Sequence, residues 1–313
     1  MRILICFLLF YLAGCESDQP ETGAISEDEI SSNEILLGDV GPLSEEFGDY
    51  WYQGLAEITS YDLEQARYGE IRQGVAVLIF VTEPFSPSKQ VKLDVAGEVG
   101  TDEVTVLKLN HTRNFVTGIY PYSMMTSSFL PISEGPMPLK VTATSQEWCG
   151  HTFTQLNRTS EGYRARLFSY FESEGDQDLE LADVMLEDGL WSLIRINPDA
   201  LPTGEIQLVP SAVYQRMSHT EIRPYTATAT LSDREDGREY RIHYPDVDRT
   251  LSIFFSANHP FEISGWEETR RSGFGEGRQM LTTRAIFRAR EMLAYWQLNG
   301  TEDIHYRERL GLE

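Results

Sequence analysis

Positive charge is missing from the first part of this chain. Between Glu16 and Ala66 there are fourteen acids and not one lysine or arginine. The whole chain carries 49 acids against 26 bases, a net charge of −23. Setting aside those fourteen acids and Arg2 leaves 35 against 25, so residues 67–313 hold only about −10. No basic stripe runs along any segment, which removes the electrostatic footprint of a nucleic-acid binder. Cysteine is equally scarce, at Cys6, Cys15 and Cys149. No apolar run approaches the ~20 residues a membrane helix requires. There is no Gly-x-Ser-x-Gly nucleophile elbow. Gly273-Phe274-Gly275-Glu276-Gly277 is rich in glycine but lacks the strand-loop-helix frame and the Lys-Ser/Thr of a phosphate loop. No cofactor is implied.

The amino terminus has a sharper signature. Arg2 precedes the apolar run Ile3 to Leu12, and Leu12-Ala13-Gly14-Cys15 follows as a lipobox. This pattern predicts a secretory leader over residues 1–14, removed in the mature protein, and a lipidated Cys15. Lipoprotein processing places a diacylglyceryl group on the sulfur and an acyl chain, such as palmitate, on the new amino terminus. At ~0.8 kcal/mol per buried methylene, three chains hold a protein on a membrane almost permanently. The expected location is the cell envelope, at the outer membrane, on its periplasmic face or the cell surface. Glu16-Ser17-Asp18 loosely resembles the acidic tags that direct lipoproteins to the surface. With Cys6 in the leader and Cys15 lipidated, Cys149 has no partner for an internal disulfide. Residues 15–49 read as an acidic, self-repelling tether, too poor in apolar side chains to order itself and reaching ~30 Å as a coil. Residues 50–313 are expected to form one domain, since no Pro/Gly-rich linker or internal repeat interrupts them.

Periodicity in that domain is mostly two. Tyr225, Ala227, Ala229 and Leu231 alternate with threonines, and Tyr240-Ile242-Tyr244, Leu251-Ile253-Phe255, Tyr163-Ala165-Leu167 and Leu139-Val141-Ala143 repeat the pattern. Val75 to Val81 is instead an unbroken apolar run, as in a strand covered on both faces. Turn signals separate the strands, and Asp236-Gly237 suits a tight hairpin. The predicted fold is mainly β: a long antiparallel meander curled into a half-open barrel, since a twisted sheet of ten or more strands curls or closes. Two short helices are predicted, about residues 187–196 and 301–310. The first follows Glu187-Asp188 and stops at Asn197-Pro198, and its Trp191 is the natural filler of the concavity. Residues 284–296 are ambiguous and favour strand. A membrane-spanning barrel fits poorly, because charges such as Arg164 and Arg166 would face lipid.

Several blocks resemble one family. They are Tyr50-Trp51-Tyr52-Gln53-Gly54-Leu55-Ala56-Glu57, Thr112-Arg113-Asn114-Phe115 with Gly118 to Thr126, Gln146 to Phe153, Ser169 to Asp176, Ile194-Arg195 with Asn197-Pro198, Leu201-Pro202-Thr203-Gly204 and Ser272-Gly273-Phe274-Gly275. Together they resemble a group of uncharacterised bacterial envelope lipoproteins of about this length, often labelled "septum formation inhibitor" by automatic transfer. The nucleotide pyrophosphatases that own that label open with a Ser-rich, Arg-containing loop on an α/β fold. Ser86-Pro87-Ser88-Lys89 is only a faint echo of it. The resemblance implies a location and a β-rich fold, and no catalytic residues.

Candidate chemistry is sparse. Cys149 and His151 could pair as nucleophile and base only if Gly150 kinked the chain, since same-face residues on a strand lie about 7 Å apart. A structural thiol packed beside Trp148 is the expected role. Glu172, Glu174, Asp176 and Asp178 alternate through a turn that could gather oxygens around a hard cation, though without the EF-hand order. His243, Asp246 and Asp248 form a second polar knot, but the six histidines are scattered and zinc is not expected. Phe115, Tyr120, Tyr122, Met124 and Met125, with Phe129 and Leu130 beyond, are by default core packing, and the other reading is an adaptable apolar groove for an acyl chain or a partner. The first five of these and Trp191 are the candidate ligand-binding residues. The expected function is a non-enzymatic, lipid-anchored envelope protein that binds an amphiphile or another envelope component. An envelope hydrolase using Cys149/His151 or the acidic turn, and a structural accessory subunit of an outer-membrane assembly, are the alternatives.

Overall fold

The computed structural model describes Leu43, residues 45–97 and residues 102–312. The expected leader, lipobox and most of the tether lie outside these residues. The tether expectation ran to residue 49, yet a helix, α1 (Glu45–Trp51), is already folded there. Phe47 and Trp51 are each 1% exposed, so burial of two rings orders a segment whose acidity argued for coil.

Among the described residues sixteen strands follow in chain order. They are β1 (Ala56–Arg67), β2 (Glu70–Ser86), β3 (Val91–Lys92), β4 (Val104–Thr117), β5 (Tyr120–Pro131) and β6 (Lys140–Glu147). Next come β7 (Gly150–Thr159), β8 (Gly162–Phe168), β9 (Gln177–Ala182), β10 (Met185–Leu186) and β11 (Gly204–Val209). The last are β12 (Tyr225–Arg234), β13 (Gly237–Tyr244), β14 (Arg249–Phe255), β15 (Ile263–Ser272) and β16 (Gln279–Leu293). Among the described residues, α2 (Glu187–Ile196) and α3 (Ala212–Ser218) interrupt them and α4 (His305–Arg309) follows the last strand.

All strands belong to one sheet. From one edge to the other the order is β10, β11, β12, β13, β14, β15, β16, β1, β2, β4, β5, β6, β7, β8, β9, with β3 appended to β2. Every pair is antiparallel except β10 with β11. The sheet does not close, because the path ends at β9 on one side and β10 on the other. Register shifts at Ser60/Tyr61 and Phe254/Phe255 add local bends to a sheet that must curl. The ambiguous segment 284–296 is strand as far as Leu293. The Asp236-Gly237 signal produces the expected hairpin, with Arg234 opposite Gly237.

Alternation decides which face is inside. Tyr225, Ala227 and Ala229 of β12 are buried, while Thr228 and Thr230 are exposed. The helix predicted at 187–196 fills the concavity, and all ten of its residues are buried. Trp191 stands edge-on to His111 at 5.1 Å and to Trp266 at 5.2 Å. Such a helix brings its charges inside, where each needs a partner. The Glu187 carboxylate accepts both terminal nitrogens of Arg249 (2.5 and 2.7 Å) and the Tyr244 hydroxyl (2.6 Å). Arg249 Nε reaches Glu268 at 2.7 Å. At the other end of α2, Arg195 forms a two-point pair with Glu57 at 2.5 and 2.7 Å. The short helix α3 was not predicted. It is capped by the Ser211 hydroxyl on Tyr214 N–H, but seven residues give too short a period to stand out. The helix expected at 301–310 is a 3-10 turn (Thr301–Ile304) running into α4.

Candidate functional site

Val75 to Val81 determines where the largest groove lies. On β2, Ala76, Leu78 and Phe80 point into the core and are fully buried. Val75, Val77, Ile79 and Val81 therefore point outward, onto the convex face of the sheet. The segment after β16 runs back across that face as a strap. Ala56, Ile58, Val77, Val81 and Leu310 make a second apolar cluster beneath it, with Val75, Ile79, Leu293, Tyr295 and Leu312 at its margin. The strap is pinned at several points. Ser60 Oγ donates to the Leu310 carbonyl at 2.6 Å, and Arg309 forks onto Glu291 at 2.9 and 2.6 Å. Gly311 has φ +62°, and a side chain there would start 2.1 Å from Arg288 Nε.

Between strap and sheet an open groove of about 870 Å³ remains. Ile58, Val75, Val77 and Ile79 floor it, and Leu298, Tyr306, Leu310 and Leu312 wall it. Thr112, Asn114 and Ser123 from β4 and β5, with Asp303 and Arg307 from the strap, give it a polar rim. This is an apolar trench with a polar rim.

The six residues singled out for ligand binding do not form one open surface: Phe115, Tyr122 and Met124 are packed in the core, with Tyr120 against Tyr122. Phe115 and Tyr122 border the groove floor, but their rings stack in the core at 4.8 Å and are 3% and 1% exposed. Met124 is buried beside them. Met125 points the other way and is 40% exposed. Tyr120 leans on Trp148 at the end of the sheet, with ring centres 6.3 Å apart. Trp191 is a core residue. The expectation that these residues line a binding surface is thus corrected: helices and ion pairs occupy the inside, and the groove is outside. Its signal in the sequence was the two-faced apolar run of β2, not the aromatic and methionine stretch.

Cys149 also departs from expectation. It sits in the β6–β7 turn, its thiol is exposed, and Trp148 beside it is 68% exposed, so neither packs in a core. The turn reverses the chain and directs both side chains to solvent. The Glu147 carboxylate accepts Cys149 N–H at 2.7 Å, and its hydrogen bond and negative charge raise the thiol above its ordinary pKa. That opposes nucleophilic use. His151, exposed on β7 opposite Gln146, is not its partner.

The alternating acids are dispersed among different partners. Glu174 binds His219 Nδ1 and Ser169 Oγ, each at 2.5 Å. Asp176 accepts Ser169 N–H, Asp178 forks onto Arg164, and Glu172 is exposed. In the second knot, His243 meets Thr250 and Asp248 pairs with Arg271. Among the described residues no three His, Cys, Asp or Glu groups converge in a way that could hold a metal ion.

Comparison with known proteins returns little. No family model and no curated protein matches the chain. A solved beta-barrel-like protein of a domain of unknown function, from Brucella abortus, is similar at a TM-score of 0.42 and 9% identity. The match covers 76% of this chain and 98% of that one.

Proposed function

We propose that this protein is a lipid-anchored, non-enzymatic component of the bacterial envelope whose convex groove binds the apolar part of an amphiphile. The observation that carries the reading is the groove itself. Outer strand positions elsewhere bear ion-pair ladders such as Arg164–Asp178, Arg284–Glu267 and Arg288–Asp62. Here four aliphatic side chains take their place under a strap that only partly covers them. Its volume falls within the ~300–1,000 Å³ usual for ligand sites. The envelope location rests on Leu12-Ala13-Gly14-Cys15, and the resemblance to envelope lipoproteins agrees with it.

Filling the trench tests binding. Val75→Trp places an indole on the half-buried floor without touching the core. It should weaken binding of a fluorescent fatty acid at least tenfold while leaving the melting midpoint unchanged. Equal affinity in the two proteins would sink the proposal. The anchor is tested separately: Cys15→Ala should abolish metabolic labelling with palmitate and leave unprocessed precursor, and normal labelling would refute it.

A second reading, an accessory subunit, is favoured by one observation. Alternate hairpins of an antiparallel sheet share an end, and four of those tips expose Ile119 (81%), Trp148 (68%), Tyr170 (63%) and Phe274 (70%). Large exposed apolar tips on one end mark contact surfaces.

A further inference from the structure

We propose that the cleft between α3 and the β8–β9 loop is a carboxylate-binding site built on Arg216. This cleft is separate from the convex groove and does not depend on it. It encloses about 90 Å³ and is lined by Gln215, Arg216, His219, Thr220 and Glu174, with Leu167, Ala212 and Ile222 as its apolar part.

Arg216 is the reason to expect a ligand. Its side chain is 6% exposed, and its guanidinium lies 4.3 Å from the Phe171 ring, which holds the plane in place. Nη2 approaches Glu147 at only 3.7 Å, too long for a hydrogen bond. Nε and Nη1 are buried with no acceptor. The deficit is shared by its neighbours. Gln215 Nε2 and Thr220 Oγ1, which also line the cleft, are buried without partners too. An unmet charged donor is among the costliest groups to bury, so Arg216 with two unmet neutral groups beside it calls for an acceptor-rich occupant.

The surroundings select its charge. Glu147 and Glu174 flank the guanidinium, His219 and Ser169 hold Glu174 in place, and a third acid lining the cleft, Glu221, is paired with Arg223. A phosphate dianion would meet both carboxylates, whereas a singly charged, planar carboxylate matches the guanidinium with less repulsion. Leu167, Ala212 and Ile222 then receive a short apolar stem. The ligand class is a carboxylate on a small apolar body, either a free organic acid or the terminal carboxylate of a peptide chain.

Titration of the intact mature protein with propionate, N-acetylalanine, propionamide and inorganic phosphate tests this, read by amide chemical shifts of residues 212–222. Propionate should give saturable shifts, and propionamide should bind at least tenfold more weakly. N-acetylalanine binding tighter than propionate assigns the site to chain termini, and the reverse order assigns it to small acids. Arg216→Met and, should that variant not fold, Gln215→Leu should each weaken propionate at least severalfold. The proposal is overturned by equal binding of propionate and propionamide, by phosphate binding without propionate, by undiminished affinity in a folded variant, or by no saturable shift at all.

Discussion

Asp188 offers a quantitative test of how the interior charges are arranged. It is fully inside the sheet, near Glu187 on its own helix, Arg113 of β4 and Arg249 of β14. With His111 these groups line a cavity of about 10 Å³, room for roughly one water. Arg249 is committed to Glu187 and Glu268, so Asp188 keeps a single hydrogen bond, from Ala212 N–H at 3.0 Å. Desolvation therefore dominates and lifts its pKa to about 7. An unfolded aspartate titrates near ~3.9. Between these values the native state holds a proton that the unfolded state has lost. Stability from this group is thus complete below about pH 4, falls by ~1.4 kcal/mol per pH unit, and levels off above 7. The total is roughly 4 kcal/mol. Asparagine keeps the acceptor for Ala212 and never ionises. Urea unfolding of wild type and Asp188→Asn at pH 5 and pH 8 isolates the effect, because any steric cost of the amide cancels between the two conditions. The variant's stability relative to wild type should rise by ~2–3 kcal/mol from pH 5 to pH 8. A pH-independent difference, or one moving the other way, would show that Asp188 is ionised and paired with Arg113.

Gly311 and Cys149 give further tests at the surface. Gly311→Ala forces an L side chain into a left-handed backbone at a strain of roughly 1–2 kcal/mol and against Arg288. Amides of residues 305–312 should exchange faster while β1 and β2 keep their protection, and unchanged exchange would show that Gly311 does not hold the strap. Cys149 should be alkylated by iodoacetamide in the folded protein, more slowly near neutral pH than an unperturbed exposed thiol, because Glu147 raises its pKa. Cys149→Ala should leave the melting midpoint unchanged, and alkylation only on unfolding would contradict its exposure.

Period and punctuation determined the fold class. Two-residue alternation in β12, β13 and β14 dictates which side chains face inward, since a one-residue slip would turn Tyr225, Ala227 and Ala229 into water. Glu187-Asp188 and Asn197-Pro198 bounded α2 because capping charge and proline act locally. The Val75–Val81 run announced a strand covered twice, yet could not say by what. Only tertiary structure brought Leu310 and Leu312, more than 200 residues away, onto that face and left a groove between. The same limit applies to burial of charge. Glu57 and Arg195 look like surface residues in sequence, and they are interior because curling the sheet around α2 places them within 2.5 Å of each other. Cys149 departs from expectation for a related reason: whether a thiol in a turn is covered depends on what packs over it, and here Tyr120 and Tyr170 pack against its neighbours Trp148 and Gly150 while the thiol stays exposed. Local sequence encodes backbone conformation and which face of a strand or helix is apolar, whereas what comes to lie on each face is settled by contacts between residues far apart in the chain.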